Sequence, residues 1–129
     1  MPSPVTAPRI YLADDASAIR ERVHAKLSAS RMVVVGEGAT PWECIAGILA
    51  AQPDVVVLDV QLEGGTGMQV LQAVRGPCPE IAFVVFSNHA ATAYRKRYLA
   101  EGAACFLDKS ADFNELAHAV LTACRRPMH

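Results

Sequence analysis

The sequence predicts an α/β fold, a five-stranded parallel sheet with helices on both faces. Three observations carry this. Short apolar runs alternate with segments of helical periodicity, five of each. The central run, residues 55–58, is apolar at every position, as expected of a strand covered on both faces. The connections are short and hold glycine, proline or acids, and such a chain closes through right-handed crossovers. Composition and pattern alone do not fix the strand order.

Residues 1–8 carry Pro2, Pro4 and Pro8 without periodicity and read as a flexible N-terminal tail. Arg9 to Ala13 is a short strand ending at Asp14-Asp15. Ile19, Val23 and Leu27 mark one face of the first helix. Met32 to Val35 is the second strand, closed by Gly36 and Gly38. In Thr40-Pro41-Trp42-Glu43 the threonine caps a helix, the proline suits its first position and Glu43 completes a capping box. That helix buries Ile45, Ile48 and Leu49, places Trp42 in core or edge packing, and ends at Gln52-Pro53. After the third strand, a helix from about Gly67 to Arg75 presents Met68, Leu71 and Val74 and stops at Gly76-Pro77. Ile81 to Phe86 is the fourth strand, Ala90 to about Glu101 the fourth helix, and Ala104 to Leu107 the fifth strand. Asp112-Phe113-Asn114-Glu115 opens the last helix, with Phe113, Leu116, Ala117, Val120, Leu121 and Cys124 on its face. One domain is expected over residues 9–125, with 126–129 as its end or the start of a linker.

The totals limit the function. A chain of 129 residues, 52% apolar and 19% charged, makes one globular domain with a real core. A net charge of −1 gives no bulk attraction to nucleic acid or anionic membrane. No apolar run reaches membrane-spanning length, and no secretion signal opens the chain. Cys44, Cys78, Cys105 and Cys124 lie far apart without a C-x-x-C pair, which points to reduced thiols in the cytoplasm.

The stretch VVVLDVQLEGGTG, residues 55–67, ends its strand in a carboxylate, Asp59. Ligands of open α/β sheets bind beyond the C-terminal strand ends, where the winding reverses. With strand order 2-1-3-4-5, Asp14, Asp15 and Asp59 converge there, joined by Ser87 and Lys109 from the last two strand ends. Three acids in one cleft repel unless a cation joins them, and a hard divalent ion with oxygen ligands, Mg2+ before Ca2+, suits them. Metal, ammonium and hydroxyl together favour a phosphoryl group, with an aspartate able to act as the nucleophile.

The motifs LADD, VVVLDVQLEGGTG, VVFSN and CFLDKS resemble the receiver domains of two-component response regulators, over roughly residues 9–125. The resemblance implies the flavodoxin-like receiver fold, with order 2-1-3-4-5. It implies Asp59 as phosphoacceptor and Mg2+ as cofactor. Asp15 would hold the metal directly and Asp14 mainly through water, with Asp59 and the Gln61 backbone carbonyl also in the metal site. Lys109 would pair with a phosphoryl oxygen, Ser87 would hydrogen-bond the phosphoryl group, and Phe106 would be the aromatic switch. Gln61 and His89 are candidates for tuning hydrolysis. The implied partner is a sensor histidine kinase or phosphotransfer protein, and a homodimer is compatible with the resemblance. Nucleic acid would be bound only by a separate output domain. The expected module is a switch with at most self-phosphorylation and self-dephosphorylation, not a metabolic enzyme. A phosphorylation-independent interaction module of the same fold is the alternative.

Three positions depart from the family's usual pattern. Glu63 replaces a proline, Asn88 replaces a small residue and is expected to crowd the path of the switch, and Ser110 replaces a proline after Lys109. The sequence leaves the isomer of the Lys109–Ser110 bond open. The DKS ending is more typical of receivers attached to LuxR-type DNA-binding domains. Haloacid-dehalogenase-type phosphatases want a second acid where Gln61 stands, and cobalamin domains want a histidine there. His24, His118 and His129 read as surface residues. Arg95-Lys96-Arg97 reads as a solvated helix face, with Tyr94, Arg97 and Tyr98 as a candidate docking surface for a partner protein.

Overall fold

The apolar runs become strands because each alternate residue can be buried on an opposite face of one sheet. The computed structural model describes residues 7–88 and 91–124. Its strands are β1 (Arg9–Ala13), β2 (Val33–Gly38), β3 (Val55–Leu58), β4 (Gln61–Leu62), β5 (Gly65–Thr66), β6 (Ala82–Ser87) and β7 (Cys105–Asp108). β4 and β5 pair antiparallel as a small ribbon that the sequence reading did not anticipate. The other five form a parallel sheet in the order β2-β1-β3-β6-β7. With the ribbon set aside, this is the expected order 2-1-3-4-5.

The helices are α1 (Ser17–Ala29), α2 (Pro41–Ala51), α3 (Gly67–Arg75), α4 (Thr92–Ala100) and α5 (Leu116–Cys124). One core lies between the sheet and α2, α3 and α4, built on Tyr11, Val56, Leu58, Ile48, Leu71, Val74, Phe83 and Val85. The other lies between the sheet and α1 and α5, built on Ile10, Leu12, Val55, Val57, Val23, Leu27, Leu116 and Val120. The register sets Ala13, Leu58, Val85 and Phe106 in one row across the sheet, all facing the first core. α5 is preceded by a 3-10 turn, Phe113–Glu115, in place of the α-helical opening expected at Asp112. Phe113 is held there by Phe86, with ring centroids 6.2 Å apart, and by Arg22 and Lys26 of α1, 4.6 and 5.2 Å from its ring.

Several helix starts follow their local chemistry. Both halves of the Thr40–Glu43 capping box form at α2, and Thr66 with Gln69 repeats the device at α3. α2 ends at Gln52 in the left-handed conformation, just before Pro53.

Other expectations need correction. β2 does not stop at Val35 but continues through both glycines to Gly38, with an irregularity opposite Ile10 and Tyr11. The reason is Tyr11. Its ring, 2% exposed, fills a slot between β2 and α2, where a Cβ at Gly36 would lie 2.8 Å from it and one at Gly47 would lie 2.5 Å from its hydroxyl. The glycines make room in the sheet for a large side chain. α2 therefore buries Cys44 and Ile48 over the sheet, while Leu49 is 40% exposed and Ile45 only partly covered. Trp42 is not core: it is 81% exposed on the first turn of α2. β6 and β7 each run one residue later than expected, which carries Ser87 and Asp108 into the ladder. The expected start of the fourth helix at Ala90, most of the tail and residues 126–129 lie outside the described residues. No helix among the described residues is long and apolar enough to cross a membrane.

Candidate functional site

The strand ends converge because backbone hydrogen bonds continue past the strands. The Asp14 amide donates to the Gly38 carbonyl at 3.0 Å, the Asp59 amide to Ala13 at 2.9 Å, and the Lys109 amide to Ser87 at 3.1 Å. These bonds fix the backbone of each site residue before its side chain is considered. α3 begins directly behind Asp59. A Cβ at Gly67 would sit 2.1 Å from the Asp59 carbonyl oxygen, and the Gly67 amide donates to Val60 at 2.8 Å. Only glycine permits that approach, which accounts for this glycine of the loop.

Both oxygens of the Asp59 carboxylate are engaged. Ser87 Oγ donates to Oδ1 at 2.6 Å, and Lys109 Nζ donates to Oδ2 at 2.9 Å. The same Nζ lies 2.5 Å from Asp14 Oδ2. Asp14 and Asp59 are buried, and Asp15 is exposed at the rim. Asp14 is further fixed by the Ala16 amide on its Oδ1 at 2.9 Å and by Arg20 on its carbonyl. Burial pushes the Asp14 carboxyl above its ordinary pKa, with Lys109 working against that rise. Burial alone would lower the Lys109 pKa, but its bonds to Asp14 and Asp59 outweigh this and raise it. The ammonium therefore stays charged at neutral pH.

Carboxylate oxygens of Asp14, Asp15 and Asp59 all lie within 4.8 Å of one another. Opposed ligands of Mg2+, each 2.0–2.1 Å from the ion, span about 4 Å. The all-oxygen donor set and its spacing thus fit a hard divalent cation.

The loop after β7 is built from polar groups. Asp108 accepts from the Ser110 amide at 2.8 Å, from Ser110 Oγ at 2.7 Å and from the Ala111 amide at 3.2 Å. These bonds hold its carboxyl below the ordinary range. No cis peptide bond occurs among the described residues, so Lys109–Ser110 is trans, and Lys109 still reaches both acids.

The family model for the response regulator receiver domain matches residues 10–121. This chain belongs to that family. It is 36% identical over 118 residues to the transcriptional regulatory protein NarL of Mycobacterium tuberculosis, covering 91% of this chain and 55% of the relative. It is 29% identical over 113 residues to the DNA-binding transcriptional activator DevR/DosR of the same organism, covering 87% of this chain and 52% of that one. The receiver thus spans about half the length of these curated relatives. Among solved structures, the signal receiver domain of the M. tuberculosis NarL response regulator matches with a TM-score of 0.88 at 32% identity, covering 95% of this chain and all of that one. A LuxR-family response regulator from Aurantimonas sp. SI85-9A1 matches with a TM-score of 0.87 at 28% identity, covering 95% of this chain and 90% of that one.

The receiver places the remaining sequence-predicted residues as follows. Gln61 stands on β4 beside the site, its amide 3.5 Å from Asp59 Oδ1. Phe106 is 3% exposed and packs edge-on against Tyr98, with centroids 6.0 Å apart. Tyr98 is itself 2% exposed, so it is a core residue and not an accessible docking side chain. Tyr94 and Arg97 are exposed, and with Tyr98 and Gln61 they line a cleft of about 500 Å3 between α3 and α4. Asn88 is exposed, and Phe106 is buried beside the strand that precedes it. The Glu63 amide donates to the Ala39 carbonyl at 2.9 Å, a bond proline could not make. His89 lies outside the described residues.

One residue was misread from sequence. Arg95 is not simply a solvated charge: its Nη1 donates to the Phe106 carbonyl at 2.9 Å, and its guanidinium lies 5.2 Å from the same residue's ring centroid. The signal was available. Residues three apart on a helix share a face, and Arg95 stands three before the buried Tyr98.

Proposed function

We propose that Asp59 is the phosphoacceptor of this receiver, taking the phosphoryl group from the phosphohistidine of a partner sensor kinase or phosphotransfer protein. The observation that carries this is the Asp59 carboxylate itself, held by a hydroxyl on one oxygen and an ammonium on the other, beside two more acids. A carboxylate oxygen of Asp59 attacks phosphorus, the P–O bond forms as the P–N bond breaks, and the imidazole leaves with the electron pair and takes a proton from solvent. Lys109 exchanges an aspartate oxygen for a phosphoryl oxygen and neutralises its charge. The Ser87 hydroxyl turns its hydrogen bond to the new group. Asp14, Asp15, Asp59 and the Gln61 carbonyl would hold Mg2+, which offsets charge between acids and phosphoryl oxygens.

Asp59 needs no proton removed, so no general base is required. Gln61, exposed beside Asp59, would tune the attack of the water that later hydrolyses the acyl phosphate. The module works in the cytoplasm as a switch with self-dephosphorylation, not as a metabolic enzyme. Its output is transcriptional control through a separate DNA-binding domain, by analogy with its relatives. Residues 9–125 form the receiver unit.

Incubation with acetyl phosphate and Mg2+ should add the mass of one phosphoryl group. The gain should vanish in Asp59→Asn and in EDTA. Labelling that persists in Asp59→Asn overturns the assignment. A folded wild-type protein that never gains mass, from acetyl phosphate or from a phosphohistidine donor, is instead a phosphorylation-independent interaction module.

A further inference from the structure

α4 is an unusual helix in this fold: Tyr98 is its only buried residue among those described. Among the described residues, Tyr98 and Arg95 both meet Phe106 of β7. Tyr98 packs its ring edge-on against the phenyl ring. Arg95 grips the residue twice, by a hydrogen bond to the carbonyl and by a guanidinium against the ring. After the Ser110 and Ala111 hydrogen bonds, the Arg95 charge also helps to hold the Asp108 carboxyl low. Cys105 is near enough to feel the same cation. Around this latch, Phe106 is buried in the row of Ala13, Leu58 and Val85, and Ser87 already donates to Asp59.

We infer that Arg95 is a positioning residue that latches Phe106 inward from α4, so that the switch rests closed before any phosphoryl group arrives. This rests on the reading of Asp59 as phosphoacceptor and adds its regulation. A hydrogen bond to the main chain holds the outer strand β7 at Phe106, while a cation over the ring favours one rotamer of the side chain. An exposed arginine is replaceable by water at the carbonyl but not at the ring. Losing it therefore frees the ring first and the strand second. Phosphorylation of the latched protein has little left to move on this face, and anything that lifts α4 releases Phe106 without touching Asp59.

The test uses the whole chain, labelled with 15N, as wild type, Arg95→Met and Arg95→Lys. Each is recorded with and without beryllofluoride and Mg2+. Wild-type amides at residues 59–67 and at Ser87 should move with beryllofluoride, while those at 83–86 and 105–108 move little. In unliganded Arg95→Met the second group should leave its wild-type positions, as the ratio of inward to outward Phe106 falls about tenfold (~1.4 kcal/mol). Beryllofluoride should bring those peaks back along the same line, through Ser87. Arg95→Lys keeps the charge without the planar fork and should lie between. A residue that merely supports the fold would lower the urea midpoint without making residues 105–108 responsive to the phosphoryl mimic. Arg95→Met peaks that superimpose on wild type without ligand overturn the latch. Wild-type peaks at 59–67 that ignore beryllofluoride count against the phosphoacceptor reading, while the unliganded comparison still decides the latch.

Discussion

Lys109→Ala removes the cation that lies between two buried acids. Nζ lies 2.5 Å from Asp14 and 2.9 Å from Asp59, with all three side chains under a tenth exposed. At an effective dielectric near 20, each attraction is about 6 kcal/mol before any solvation cost. Burying the ammonium costs several kcal/mol, so the net loss on removing it is ~3–5 kcal/mol. The loss has a second source: carboxylates within 4.8 Å of each other then repel by about 3.5 kcal/mol per pair with nothing between them. Those acids have two other ways to be neutralised. Protons are one. Asp14 already has a folded pKa above its ordinary 3.8, so its contribution favours the fold below that value and is lost as pH rises through the raised one. Without Lys109 the rise is larger, and the variant should lose stability from pH 4 toward neutrality more steeply than wild type. Lys109 itself, raised above 10.5, stabilises below that value, and its contribution disappears only at strongly alkaline pH. Mg2+ is the other way, adding ~2.7 kcal/mol at one hundred times its Kd. Urea unfolding followed by far-ultraviolet circular dichroism, in EDTA and in Mg2+ at pH 5 and 7.5, reads all of this. The variant should be much weaker than wild type in EDTA at pH 7.5, and the deficit should shrink at a fixed Mg2+ concentration, because acids that have lost their ammonium bind the cation more tightly and gain more from it. An equal deficit in both buffers, or stability that climbs with pH in EDTA, would refute the electrostatic account.

Three further outcomes follow from the packing. Gly47→Ala should cost ~1–3 kcal/mol, because its Cβ falls 2.5 Å from the Tyr11 hydroxyl, and urea midpoints would show it. Thr40→Ala should cost about 1 kcal/mol through the lost cap on the Glu43 amide, measured the same way. Trp42→Ser, at an 81% exposed position, should change the midpoint by less than ~0.5 kcal/mol, whereas a larger loss would mean that the indole packs on something in solution.

The sequence exposed what is written locally. The capping box at Thr40, the all-apolar run at residues 55–58 and the five polar groups at strand ends each have a short-range signature, and the structure brings Asp14, Asp59, Ser87 and Lys109 into contact. Misreadings came where a partner distant in sequence decides the outcome. β2 outlasts its glycines because Tyr11, on another strand, occupies the space they leave. Trp42 lies outside because the capping box turns it away from the sheet, a choice hydrophobicity alone cannot show. Tyr98 and Arg95 looked like surface because α4 is polar on most of its circumference. Their roles depend on Phe106, on a strand that follows the helix.

The slot around Tyr11 also constrains how this chain can change over generations. Shrinking Tyr11 alone leaves a void among Gly36, Gly47 and Cys44, and enlarging either glycine alone drives a methyl group into the ring. Each single step loses stability, although a smaller residue at 11 together with alanine at 47 would refill much of the same volume. The positions therefore constrain one another, and a single change at any of them is expected to pass through a less stable protein. A substitution tolerated in a relative with a smaller residue at this place in β1 is no guide to what this protein can accept.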